Sequence, residues 1–210
     1  MRFAAVTYTK RDRPRNWGLA KISSTPEEFA SPVTGTQYSS SSLGKGTNIY
    51  ILDDGYTPAT NPHTDQLGER LKNRDAVPKS ENGHGTMVAD LAAGRDLGAA
   101  PEANVYVYKV CRGFYEKPET LEGYKTLPTS DAVLAAFENI FYRNPIVEDP
   151  SIINRSFEVE MNKAENLKKT IKSAFDAGFI IVVAAGNNEV EVVGEQNGVS
   201  SNIGPAGFPG

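Results

Sequence analysis

Asn48-Ile49-Tyr50-Ile51-Leu52-Asp53-Asp54-Gly55 is the stretch on which the fold turns. A short apolar, β-branched-rich run that stops at two acids and a glycine reads as a buried strand delivering carboxylates to a turn. Moving outward, Val105 to Val110, Ser151 to Asn154 and Phe179 to Ala185 are further runs of strand length, the last expected to be buried. Helical signals fall between them. Thr86 to Ala93, mostly small or apolar, predicts a helix opening just after His84-Gly85. Ser130 is placed to cap a second helix, in which Val133, Ala136, Phe137, Ile140 and Phe141 share a face, ending before Pro145. Leu167, Ile171, Ala174 and Phe175 form the apolar face of a third, with Gly178 as its C-cap. Strands alternating with helices predict a three-layer α/β fold: a mostly parallel sheet with helices on both faces, joined by right-handed crossovers. Ligands of such sheets sit at the carboxyl ends of strands, so Asp53, Ser156 and Gly186-Asn187 are expected along one edge. Arg11 to Asn16 and the serine run Ser39 to Ser42 read as surface linkers.

Composition narrows the function classes. With 210 residues, 39% of them hydrophobic and 23% charged, the chain suits one globular domain. A formal net charge of -4 offers no basic face, so a nucleic-acid partner is not expected. Cys111 is the only cysteine, which excludes an intrachain disulfide and a cysteine zinc cluster. No apolar stretch is long enough to cross a bilayer and Met1 to Lys10 lacks a signal-peptide core, so neither a membrane partner nor an export signal is expected in this chain. A monomer is expected.

The chemistry centres on few residues. His63 and His84 are the only histidines. His84 stands in Asn82-Gly83-His84-Gly85-Thr86, where flanking glycines let the backbone turn and present the imidazole at a helix start, a placement that suits a general base. A strand-end carboxylate such as Asp53 can accept the imidazole Nδ1 proton, fix the tautomer and stabilise the imidazolium that forms in acyl transfer. Asn187, just beyond the Phe179 to Ala185 run, has amide N–H donors that suit a developing oxyanion. Turn chemistry alone accounts equally well for Asp54-Gly55 or Asn187-Asn188 taken singly. A divalent-metal hydrolase built on Asp53, Asp54, His63, Asp65 and His84 is a further reading.

In this order and context the motifs resemble the subtilisin-like serine protease, or subtilase, family. Ile49 to Gly55 is similar to its Asp motif and His84-Gly85-Thr86-Met87-Val88-Ala89 to its His motif; the Asp, His, Ser chain order is the family's own. Trp17-Gly18-Leu19-Ala20-Lys21-Ile22 resembles the start of the mature domain in the proteinase K branch, while Asp53-Asp54 is similar to the kexin branch. Pro62-His63-Thr64-Asp65-Gln66-Leu67, Tyr108-Lys109-Val110, Ile152-Ile153-Asn154-Arg155-Ser156, Ala184-Ala185-Gly186-Asn187-Asn188 and Pro205-Ala206 extend the likeness.

The resemblance implies a peptidase domain over 16–210, C-terminally incomplete, preceded by a linker or propeptide remnant over 1–15. It implies a serine-type endopeptidase acting on protein or peptide substrates, with Asp53 orienting His84, Asn187 at the oxyanion and His63 peripheral. Ser156, Phe157, Glu158 and Gly186 fall on the segments that bind extended peptide. No cofactor is required, structural calcium is compatible, and secretion of the full-length product is implied. Three departures stand out: Asp90 and Glu158 replace glycines, and no Gly-Thr-Ser-Met-Ala nucleophile motif occurs. The 210-residue chain alone is therefore expected to be inactive, and a non-catalytic subtilase-like binding protein or truncated gene product is the alternative.

Overall fold

A computed structural model describes residues 9–12, 17–23, 37–61, 64–117, 119–120, 122–144, 148–157, 165–184, 195–196 and 199–200. Its centre is a four-stranded parallel sheet ordered β4-β3-β7-β8, formed by β3 (Asn48–Asp53), β4 (Asn104–Lys109), β7 (Ser151–Arg155) and β8 (Ile180–Val183). All six residues of β3 are buried because strands flank it on both sides and helices cover both faces, as its unbroken apolar pattern requires.

Alternation sorts the side chains into two cores. Ile49 and Ile51 pack with Val105, Val107 and the small residues Ala89 and Ala93 of α2 (His84–Ala93). Tyr50, Leu52 and Ile153 face the other way, onto α3 (Ser130–Arg143) and α4 (Glu165–Asp176). There the Tyr50 and Tyr106 rings stack at 4.9 Å. The free edge of β4 is closed without a further strand. Lys72 N–H donates to the Val105 carbonyl at 2.8 Å, and the Asn73 amide donates to the Val107 carbonyl at 2.7 Å while accepting its N–H at 3.1 Å. A side-chain amide thus stands in for a strand and blunts an edge otherwise open to pairing.

Several expectations need correction. The α2 helix opens at His84 itself, so the imidazole belongs to the first turn. Thr129, not Ser130, caps α3: it is in extended conformation and its Oγ1 accepts the Ala132 N–H at 3.2 Å. On α4, Leu167, Ile171 and Ala174 are buried, but Phe175 is 69% exposed, on the flank of the stripe where no described residue covers it. The last strand is not fully buried: Ile180 and Val182 are 57% and 48% exposed, on the same sheet face as Ile49 and Ile51 but beyond the reach of α2. The first linker is partly a strand, since β1 (Thr9–Asp12) pairs antiparallel with β2 (Gln37–Ser40), which also takes Ser39 and Ser40 from the serine run. A short helix, α1 (Trp17–Ile22), buries Leu19 and Ala20. Between β4 and α3 an antiparallel hairpin, β5 (Cys111–Lys117) with β6 (Glu122–Pro128), rises from the carboxyl side of the sheet. No helix of the described residues is long and apolar enough to cross a membrane.

Candidate active site

The register of the sheet brings Asp53 and Ser156 to one edge. Asp53 lies opposite Lys109, and Leu52 lies opposite Arg155, so β3 and β7 end level with each other and Ser156 follows directly. Asp53, like Ile51, points to the face covered by α2, whose first residue is His84. There His84 Nδ1 meets Asp53 Oδ1 at 2.8 Å. An ionised carboxylate only accepts, so Nδ1 is the donor and the Nε2 lone pair is left to act as a base. The carboxylate is 2% exposed and the imidazole 43%, so the orienting group is shielded and the working nitrogen is reachable. Burial pushes the Asp53 carboxyl up from its ordinary range, opposed by the hydrogen bonds from His84 and from the Asp54 N–H at 2.8 Å.

What holds His84 in place was not read from the sequence beyond its glycines. Asp54, 1% exposed, collects the turn that carries the histidine. Its Oδ1 accepts the Gly85 N–H at 2.7 Å, its Oδ2 the Asn82 N–H at 3.2 Å, and the Ser80 hydroxyl lies 2.8 and 2.9 Å from the two oxygens. A carboxylate at the first turn of α2 also meets the positive end of the helix dipole. Ser80 Oγ accepts the Gly83 N–H at 2.8 Å, and Asn82 Oδ1 accepts the His84 N–H at 2.9 Å. Two glycines make the approach feasible. Gly83 takes φ 87°, the left-handed region, and a Cβ on Gly85 would sit 2.3 Å from the Gly55 carbonyl oxygen. The signal available in the sequence was the second acid of Asp53-Asp54.

Of the other candidates, Ser156 and Phe157 continue from the end of β7, with Asn154 Nδ2 donating to Ser156 Oγ at 3.0 Å. Among the described residues no serine hydroxyl is bonded to His84. Glu158, Gly186, Asn187 and His63 lie outside the described residues. Cys111 is no rival nucleophile: burial, reinforced by the charges of Asp53 and Asp54, pushes its thiol up to about 12. Of the acids in the metal reading, Asp54 is engaged by Ser80, Asn82 and Gly85, and Asp65 by Arg74 and the N–H groups of Leu67 and Gly68. Among the described residues no three His, Cys, Asp or Glu converge in a metal-binding group.

The profile of the Subtilase family matches residues 44–206. The chain belongs to the subtilase family. Proteinase R of Parengyodontium album is 30% identical over 189 residues, covering 90% of this chain and 44% of that protein. Subtilisin-like protease 2 of Trichophyton tonsurans is 30% identical over 191 residues, covering 89% and 41%. The structure of the Clostridium perfringens CspB protease superposes with a TM-score of 0.53 at 18% identity, over 81% of this chain and 40% of that one, which supports the fold. This subtilase spans less than half the length of the relatives it matches.

One departure from the family pattern has a measurable consequence. Asp90 is half-buried on α2, where it accepts the Tyr56 hydroxyl at 3.1 Å. Burial raises its carboxyl to about 6, with the Tyr56 hydrogen bond opposing the rise. An acid whose pKa is higher folded than unfolded favours folding below its unfolded value, near pH 4, and loses that contribution as the pH climbs through about 6. Asp90→Asn keeps an acceptor for Tyr56 and removes the charge. It is expected to raise stability above pH 6 by up to about 3 kcal/mol, a gain that shrinks to nothing near pH 4. Urea unfolding of both proteins at a series of pH values checks this.

Proposed function

We propose that this subtilase chain supplies the acid-base part of a serine endopeptidase that cleaves peptide bonds by acyl transfer. The observation that carries the reading is the 2.8 Å hydrogen bond between the buried Asp53 carboxylate and the Nδ1 of an accessible His84. In this reading a serine from further polypeptide attacks the scissile carbonyl, His84 Nε2 takes its proton and returns it to the leaving amine, and Asp53 stabilises the imidazolium in between. Asn187 donates to the oxyanion. Ser156, Phe157, Glu158 and Gly186 belong to the segments that hold an extended peptide by main-chain pairing. The reaction needs no cofactor, the active species is a monomer, and secretion of the full-length product belongs to the same reading.

Two apolar surfaces support the need for further polypeptide. Met87 and Leu91 on α2 are 54% and 43% exposed, and with Thr57 and Leu97 they border an open depression of about 390 Å³. Ile180 and Val182 are about half exposed on the same face of the sheet. A helix covering them would bury both surfaces beside His84.

A covalent intermediate distinguishes this mechanism from direct attack by water. A polypeptide carrying this chain and the serine is expected to release a burst of nitrophenol from an activated ester, about one equivalent per active chain, before the steady state. Strictly linear release under rapid mixing would count against acyl transfer.

A further inference from the structure

Arg155 ends β7 and heads the fully buried side chains of the fold, at 0% exposure. Among the described residues none of its three guanidinium nitrogens finds a hydrogen-bond partner. Guanidinium groups do not escape such a position by neutralising themselves: burial lowers this one only to about 10, so it stays charged at neutral pH. The one ionisable neighbour acting on it among the described residues is the Cys111 thiol, not a carboxylate. The Phe157 ring, its centroid 4.8 Å from the guanidinium carbon, gives a cation–π contact. The desolvation penalty of an ion left alone in the interior exceeds what one ring face returns, so the balance calls for an anion.

Position narrows what that anion is. Arg155 pairs in register with Leu52, one residue before Asp53, and immediately precedes Ser156 and Phe157 at the carboxyl edge of the sheet. Its side chain shares the face of Ile153, away from His84. The half-buried Phe157 ring lies over the guanidinium, so a ligand reaching Arg155 from that side requires the ring to turn aside. An extended peptide paired along this edge sends alternate side chains toward the sheet. We infer that Arg155 forms the floor of an anion subsite that takes the carboxylate of an Asp or Glu side chain in the bound peptide. The inference rests on reading Ser156 and Phe157 as peptide-binding. A carboxylate matches the planar fork of the guanidinium with two parallel hydrogen bonds, which a neutral amide cannot do.

Calorimetric titration of the 210-residue chain with acetyl-Ala-Ala-Glu-amide and with its Gln counterpart at pH 7 tests the subsite. The Glu peptide is expected to bind at least about tenfold more tightly, the scale of a charge-assisted pair. In Arg155→Met the preference vanishes while the affinity for the Gln peptide is kept. Loss of an uncompensated buried charge should also raise the melting temperature of the peptide-free Arg155→Met chain, a second readout that needs no peptide. Equal affinities in the unmodified chain, or a preference that survives Arg155→Met, overturn the subsite alone. A lower melting temperature in Arg155→Met, reproduced by neutralising Glu158 and Glu160 together, overturns it in favour of a counter-ion within the chain. If neither peptide binds a chain whose near-UV circular dichroism reports folded packing, the peptide-strand reading falls and the subsite with it.

Discussion

His84→Ala is expected to lower kcat by about six orders of magnitude in a polypeptide that joins this chain to its nucleophile, the scale seen when the base of such a triad is deleted. The size follows from the geometry. A serine hydroxyl is a poor nucleophile until its proton has somewhere to go, and the exposed imidazole held at 2.8 Å by Asp53 is the base the described residues provide. His63→Ala should leave kcat close to that of the unmodified enzyme, since only one histidine serves as the base. Steady-state hydrolysis of an internally quenched peptide reads both effects, and an unchanged rate in His84→Ala would sink the assignment.

Asp53→Asn should cost about 10⁴ in kcat with little change in KM. The substitution is nearly isosteric, so the loss isolates charge and tautomer. Asp53 Oδ1 receives both the His84 ring N–H and the Asp54 backbone N–H, while the buried Oδ2 has no partner among the described residues. If Asn keeps its oxygen at the shared position, its NH2 is buried with nothing to receive it and the imidazolium loses its counter-charge. If the amide turns over, it donates to Nδ1 and forces the proton onto Nε2, where the base is needed. Either orientation is unproductive. A rise in KM with kcat preserved would move Asp53 from catalysis to binding.

How much of this was legible in the sequence depended on whether the deciding partner was local. The strand Asn48 to Asp53 announced itself because both its faces are buried, which leaves an unbroken apolar run. Asp53 and His84 were legible as a pair because a strand-end acid and a glycine-flanked histidine are each local patterns. Asp54 was not, since its partners Ser80, Asn82 and Gly85 arrive only when a loop folds back onto the strand end. Beside a glycine, it reads as an ordinary turn residue. Arg155 was overlooked for a related reason: a charged residue at the end of a strand reads as solvated, and its burial is a property of the tertiary fold. The exposure of Ile180 and Val182 escaped the pattern in the opposite sense, because an apolar run records what a strand is built to be covered by, and among the described residues that cover is missing on one face.

Labelling by a fluorophosphonate probe, read by intact mass and peptide mapping, tests the pairing of Asp53 and His84 with a distant serine most directly, since the probe reacts only with an activated hydroxyl. Residues 1–210 alone should take up none, and the polypeptide extended to include the nucleophile should take up one equivalent on a single serine outside them. His84→Ala should abolish that label. A labelled serine within residues 1–210, or labelling of the extended protein that persists in His84→Ala, would contradict the account.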